Sequence, residues 1–186
     1  MGELIALAKT KPGEISYATS GVGAAGHVNV ALLETMAGVK LQAVHYRGAA
    51  PALNDVIAGH VQLTSVAVSS ALQPWRSGLV KMLGIGSAKR MAQLPDVPTV
   101  AESGLPGYEA ITWFGLFTTA GTPREIIDKI NAEVHRLFAD PAFRERFVAP
   151  YLYEVMTSSP DAFAAFLAVE TDRWAKVVRD ANLKID

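Results

Sequence analysis

The chain has 186 residues, 50% of them hydrophobic, and its 17 basic and 18 acidic residues leave a formal net charge of −1. That length and apolar content provide a real core, for one large domain or one and a half small ones, and argue against disorder. Balanced charge without a Lys/Arg cluster leaves no footprint for nucleic acid. The absence of cysteine removes disulfides, thiolate catalysis and cysteine metal sites, without indicating a compartment.

Met1 to Lys9 carries an acid early and has neither a basic start nor a long apolar segment. It is read as the last turns of an amphipathic helix rather than a signal peptide, which creates the expectation of further polypeptide upstream. No apolar run approaches the roughly 20 residues needed to cross a bilayer. From 14 to 86, short β-rich runs (14–18, 41–45, 61–68 and 79–86) alternate with helical patterns (24–37, 50–58 and 69–77). Pro51 near a first turn, and Gly59 and Gly78 as stops, mark helix ends. Each connection is long enough for a crossover helix, which predicts an α/β fold with helices on both faces of a parallel sheet.

Residues 92–108 break that rhythm. Leu94-Pro95-Asp96-Val97-Pro98 and Gly104-Leu105-Pro106-Gly107 are loop chemistry around one helical turn at Thr99 to Ser103, read as a segment crossing between two lobes. Ile111 to Thr119, rich in β-branched and aromatic residues, is predicted to be extended. Thr122-Pro123-Arg124-Glu125 reads as a capping box with proline at the first helical position. Ile126, Ile127, Ile130, Val134, Leu137 and Phe138 then share one face of a helix over 123–138. Asp140-Pro141 opens a second, short helix. Ser159-Pro160 opens a third, over 160–182, whose apolar face includes Phe163, Phe166 and Trp174; Tyr153 to Met156 is predicted to be a short strand between them.

Gly21-Val22-Gly23-Ala24-Ala25-Gly26 spells G-x-G-x-x-G between an apolar run and an apolar stretch ending at Met36, the context of a dinucleotide fingerprint. The same geometry suits any small anion, because backbone N–H groups and the positive end of a helix dipole converge above such a turn. Two features weigh against a nucleotide. The second strand ends in Tyr46-Arg47-Gly48, with no acid about 20 residues on to hold ribose hydroxyls, although Arg47 suits a 2′-phosphate. Thr19-Ser20 also leads into the turn with two hydroxyl donors. A small anionic ligand is the favoured reading; a plain structural turn and an NAD(P)-binding oxidoreductase domain remain as alternatives.

Catalysis has little support. Gly84-Ile85-Gly86-Ser87-Ala88 is not G-x-S-x-G, and no Lys-Ser/Thr follows the glycines as in a Walker loop. His27, His45, His60 and His135 lack metal-ligand spacing. The expectation is therefore no enzyme, no cofactor and no metal.

Several collinear stretches carry a resemblance. They are Leu4 to Lys9 with Pro12-Gly13, Tyr17-Ala18-Thr19-Ser20-Gly21-Val22-Gly23 with His27, and Val44-His45-Tyr46-Arg47-Gly48 with Ala50-Pro51-Ala52. Gly59-His60-Val61-Gln62, Leu94 to Glu102, Gly104 to Tyr108, Trp113, Gly115 and Ala120-Gly121-Thr122-Pro123 complete the set. Over essentially its whole length the chain resembles substrate-binding proteins of the tripartite tricarboxylate transporter type, the Bug receptors. The resemblance implies a periplasmic-binding-protein-like clamshell of type II. Residues 12–108 would form the ligand-binding αβα lobe, and 1–11 with 109–186 would be a remnant of an incomplete first lobe with C-terminal helices. It also implies a small carboxylate as ligand, membrane transporter subunits as partners and a periplasmic location. The Asp-Asn pair common near the third strand of such receptors is replaced here by Ser65-Val66-Ala67-Val68-Ser69, so family specificity does not carry over.

The expected ligand-binding residues are Thr19, Ser20, Gly21, Gly23, His27, Gly48, Ala49 and Ser65. For each a structural role competes: an N-cap at Ser20, a packed or capping His27, a solvent-exposed Arg47, and helix capping by Ser69 or Ser70 beside Ser65. Trp113, Phe114 and Phe117 are read as core before pocket. With the first lobe incomplete, Ile126, Ile130, Phe163, Phe166 and Trp174 are expected to be partly exposed and to favour a homodimer through the C-terminal helices.

Overall fold

The computed structural model describes residues 1–184. Helix α1 (Gly2–Thr10) leads to β1 (Ser16–Thr19), α2 (Ala25–Ala37), β2 (Gln42–His45), α3 (Ala49–Ile57), β3 (Leu63–Thr64) and α4 (Val68–Arg76). After a long irregular segment come α5 (Arg124–Ala139), α6 (Pro141–Phe147), a 3₁₀ turn (Ala149–Tyr151) and α7 (Pro160–Asp180).

The three strands are parallel in the order β2-β1-β3, with Ser16 to Thr19 opposite Gln42 to His45, and Tyr17 and Ala18 opposite Leu63 and Thr64. Because β1 is central, Tyr17, Ala18 and Thr19 are all buried. Successive side chains leave a strand on opposite faces, and the core divides accordingly. Tyr17 packs with Ile15, Val30, Leu33 and Leu41, together with Ala8 of α1 and Leu105 and Tyr108 of the later loop. Ala18 packs instead with Ala52 of α3 and Val61. Helices thus cover both faces, as the alternating pattern requires.

The chain divides into two compact units, Met1–Thr112 with Trp174–Asp186, and Trp113–Arg173. The first is wider than the 12–108 lobe expected from sequence, because Ala8 and Trp174 pack with its core. In the second unit, Trp113 meets Phe163 and Phe166 edge-on, with ring centroids 5.8 and 5.4 Å apart, and donates its indole N–H to Glu170. Arg124 bonds both carboxylate oxygens of Asp161 (2.8 and 3.1 Å) and also Asp128 (2.8 Å), joining the start of α5 to the start of α7. Helix α5 has no buried residue, and Ile126 and Ile130 are 46% and 41% exposed. Phe163, Phe166 and Trp174 are half-buried.

Four sequence expectations change. The strand read at 79–86 is reduced to one bridge, Ile85 opposite Thr99, flanked by Gly84 and Gly86. That read at 61–68 shrinks to Leu63–Thr64. Tyr153 to Met156 forms no strand; the Tyr153 N–H donates instead to the Val148 carbonyl at 3.4 Å. The capping box at Thr122 does not form either: its hydroxyl turns back to the Thr119 carbonyl (2.8 Å), and α5 begins at Arg124 without a side-chain cap.

Candidate functional site

The strand order reverses direction at β1. The chain leaves β1 through α2 towards β2, while the neighbouring β3 leads away through α4. In open α/β sheets such a reversal opens a crevice beyond the carboxyl ends of the strands. Here that edge consists of the loops 20–24, 46–48 and 65–67, each running directly into a helix.

Gly26, the third glycine of the motif, sets how tightly this edge closes. A β-carbon on it would lie 2.3 Å from the Ser65 carbonyl oxygen, so only a glycine lets the first turn of α2 touch the loop leaving β3. Asn29 reaches the Ser65 hydroxyl at 3.5 Å, and Tyr108 donates to the Asn29 carbonyl at 3.0 Å, fixing the same helix from the core side.

Gly21 and Gly23 both have positive φ (145° and 72°), a region other residues adopt at a cost. Their amides point inward. The Gly21 N–H donates to Thr19 Oγ1 (3.1 Å) and the Gly23 N–H to His27 Nδ1 (3.0 Å). The N–H groups of Ser20, Val22, Ala25 and Gly26 have no hydrogen-bond partner among the described residues. The open donors of the turn therefore lie between and beyond the inward-turned glycine amides rather than on them.

Thr19 is completely buried, and its hydroxyl lies 2.8 Å from His45 Nδ1 and 3.1 Å from the Gly21 carbonyl. Its place is behind the turn. Ser20 is half-buried; its carbonyl accepts the Gly48 N–H at 3.2 Å, while its hydroxyl has no partner among the described residues. The competing reading of Ser20 as a helix cap is not what forms, because the N-cap of α2 is Ala24 and no side chain caps it.

His27 is 6% exposed, with its ring 4.8 Å from that of His45 and 6.4 Å from that of Tyr17. Burial first, and the nearby His45 second, push its pKa below the ordinary imidazole value. Because Nδ1 accepts the Gly23 N–H, the ring proton of this geometry sits on Nε2. Gly48 (φ 122°) precedes α3, and Ala49, the first residue of that helix, is exposed. Arg47 is exposed and Ser65 half-buried. Neither Ser69 nor Ser70 caps α4, whose N-cap is Ala67. Tyr46 donates to Asp55 at 2.6 Å and His60 approaches the same carboxylate at 3.4 Å; the pair holds Asp55 below the usual carboxylate range and braces the loop after β2.

All eight expected residues except Thr19 thus lie on or beside one sheet edge with some access to solvent or a structural amide role there. Sequence reasoning missed His45, whose contact with Thr19 and His27 depends on the register of β1 and β2. Trp113, Phe114 and Phe117 belong to the second compact unit, where Trp113 is half-buried against Phe163 and Phe166, while Phe114 and Phe117 are exposed rather than core.

The string from Leu94 to Tyr108 proves structural. Leu94, Val97, Thr99, Val100, Leu105 and Tyr108 are all buried. Thr99 and Glu102 form a reciprocal capping box, with the Glu102 carboxylate taking the Thr99 N–H (2.8 Å) and Thr99 Oγ1 the Glu102 N–H (3.0 Å). Arg90 joins Glu102 and the Pro95 carbonyl.

Residues 1–183 match the family described as tripartite tricarboxylate transporter family receptor, TctC. The chain belongs to that family. It is 37% identical to a UPF0065 protein of the tcbD–tcbE intergenic region of Pseudomonas sp. strain P51, over 97% of this chain and 54% of that protein. It is 33% identical to BugT of Bordetella pertussis, over 98% of this chain and 56% of that protein. Among solved structures, R. palustris Rpa4515 with adipate superposes with a TM-score of 0.91 at 33% identity, over 98% of this chain and 61% of the other. The periplasmic binding protein BugD does so at 0.87 and 34%, over 99% and 62%. MatC from Rhodopseudomonas palustris with bound malate gives 0.83 and 29%, over 96% and 61%. The fold of this TctC-family chain is therefore the α/β fold of periplasmic binding proteins. The chain spans about half the length of the curated relatives it matches. A family of receptors does not favour the NAD(P)-binding alternative.

Proposed function

We propose that this chain is the carboxylate-capturing part of a periplasmic solute receptor, which closes on its ligand as a clamshell and delivers it to the membrane subunits of a tripartite transporter. The observation that carries the reading is the set of unpaired N–H groups at Ser20, Val22, Ala25 and Gly26 on the switch-point edge, in a chain of the TctC family. Two structural neighbours of 29–33% identity hold adipate and malate, both small carboxylates.

The chemistry fits an anion. A carboxylate at a helix N-terminus gains about 0.3–1 kcal/mol from the dipole, and up to ~2 kcal/mol when partly buried. Each charge-assisted hydrogen bond adds about 1.5–3 kcal/mol. Ser20, through its N–H and its unengaged hydroxyl, and the amides of Val22 and Ala25 are the first contacts in this reading. Ser65, Gly48 and Ala49 line the neighbouring loops, with Thr19, Gly21, Gly23 and His27 shaping the turn from behind.

Residues 12–108 carry capture in this proposal, and the rest of the receptor would complete the cage. If that part supplies two charge-assisted hydrogen bonds, this chain alone binds about 10²- to 10⁴-fold more weakly than a complete receptor. Calorimetric titration with malate, adipate and NADPH tests the reading. Binding of either acid without response to NADPH supports it; micromolar NADPH binding with no response to the acids would replace it with the nucleotide reading.

A further inference from the structure

The two imidazoles behind the turn are not explained by packing alone. His27 is nine-tenths buried yet polar, and it spends Nδ1 on a backbone amide four residues earlier in the chain. Its Nε2 has no partner among the described residues. His45 reaches across from β2 to the Thr19 hydroxyl, which in turn receives the Gly21 N–H. The Gly23 amide is thus held inward by His27 itself, and the Gly21 amide by a Thr19 hydroxyl that also contacts His45.

We propose that His27 is a positioning residue for ligand capture: by accepting the Gly23 N–H it fixes which amides of the turn face the ligand, and its protonation releases the turn. This rests on the carboxylate reading of the site. A protonated imidazole is a donor at both nitrogens and cannot accept from Gly23. Loss of that contact leaves the Gly23 peptide free to rotate, and the outward alignment of the Val22 and Ala25 amides goes with it.

The surroundings give the charged form no compensation. The titratable groups that face His27 are His45 on β2, a second potential cation, and Tyr17 on β1, whose hydroxyl is pushed up by burial and by Glu34. Glu34 itself, further along α2, is engaged by the Leu41 N–H at 2.6 Å. Across the sheet edge Asp55 is occupied by Tyr46 and His60.

The experiment combines imidazole ¹⁵N NMR of the 186-residue chain with malate titrations at pH 7.5 and 5.5, on the wild type and on His27→Gln. Glutamine keeps an acceptor for the Gly23 N–H but does not titrate. Expected for the wild type are an unprotonated Nδ1 at pH 7.5, a Gly23 amide shift that follows the His27 titration, and malate binding that weakens in step with that titration as pH falls. In His27→Gln, neither the Gly23 shift nor the malate affinity follows pH through the range in which the wild type responds. A proton on Nδ1 at pH 7.5, or the same pH dependence of the Gly23 amide in His27→Gln, overturns the proposal. A Gly23 amide that follows His27 in a chain that binds no malate at any pH points instead to failure of the carboxylate reading, and the positioning role falls with it.

Discussion

Gly26 and Ser65, 39 positions apart in the chain, approach so closely that the hydrogen of one stands where a β-carbon would lie 2.3 Å from the carbonyl oxygen of the other. The obstacle is backbone, not the end of a flexible side chain, so α2 must move to accept any larger residue. Gly26→Ala is expected to destabilise the first compact unit by about 1–3 kcal/mol, as other overpacking changes do. Urea denaturation reads this as a lower midpoint at unchanged slope. A midpoint equal to that of the wild type would show that the contact yields easily.

The turn at 99–102 offers a second test. Thr99 is fully buried and caps the Glu102 amide, so Thr99→Ala is expected to cost about 0.5–2 kcal/mol. Glu102 sits below its ordinary pKa, held first by the Thr99 N–H and then by Arg90. A depressed carboxylate pKa contributes stability that is present above its unfolded value of about 4.3 and is lost as pH falls towards the folded value. Thermal melts should therefore show Glu102→Gln narrowing the stability difference between pH 6 and pH 3. An unaltered difference would mean that the charge on Glu102 does not matter to the fold.

Much of the first unit was legible because its signals are local. The apolar runs at 14–18 and 41–45 are bounded by helical patterns and glycine stops, and they emerge as β1 and β2. The run at 79–86 has equally β-rich composition but forms only the Ile85–Thr99 bridge, because a strand exists only where another backbone pairs with it, and pairing is not written in the run itself. At Thr122 the T-x-x-E spacing is present but the hydroxyl prefers its own turn; at Thr99 the same spacing forms a box, unremarked in the sequence, at the start of the helical turn read over Thr99 to Ser103. At the site, the glycines were recognised but not the direction of their amides. That direction is decided by His27, four residues on from Gly23, and by Thr19, which is coupled through strand register to His45.

Ser20 separates binding from folding. Its hydroxyl neither caps α2 nor bonds to another described residue, so Ser20→Ala is expected to leave the melting temperature unchanged. Carboxylate affinity should fall by about 1–2 kcal/mol if the hydroxyl is a ligand contact. Calorimetry beside a thermal melt distinguishes the two. A lower melting temperature with an unchanged dissociation constant would assign Ser20 to the fold alone.

In the second unit, Phe114, Leu116 and Met156 are more than 70% exposed, and Ile126 and Ile130 join them on α5. Apolar surface of this kind favours association over solvent contact. The 186-residue chain is expected to form homodimers, through its C-terminal helices, at micromolar concentration in light scattering. A monodisperse monomer would show that this surface is tolerated in water.

The central claim, that a small carboxylate is captured at the turn between β1 and α2, is tested most directly by ¹H–¹⁵N amide mapping during titration of malate to millimolar concentration. The expected result is saturable shifts centred on Ser20, Val22, Ala25 and Gly26, with Gly21 and Gly23, whose amides are already taken by Thr19 and His27, responding less. Saturable shifts confined to other regions, or none in the turn at any malate concentration, would contradict it.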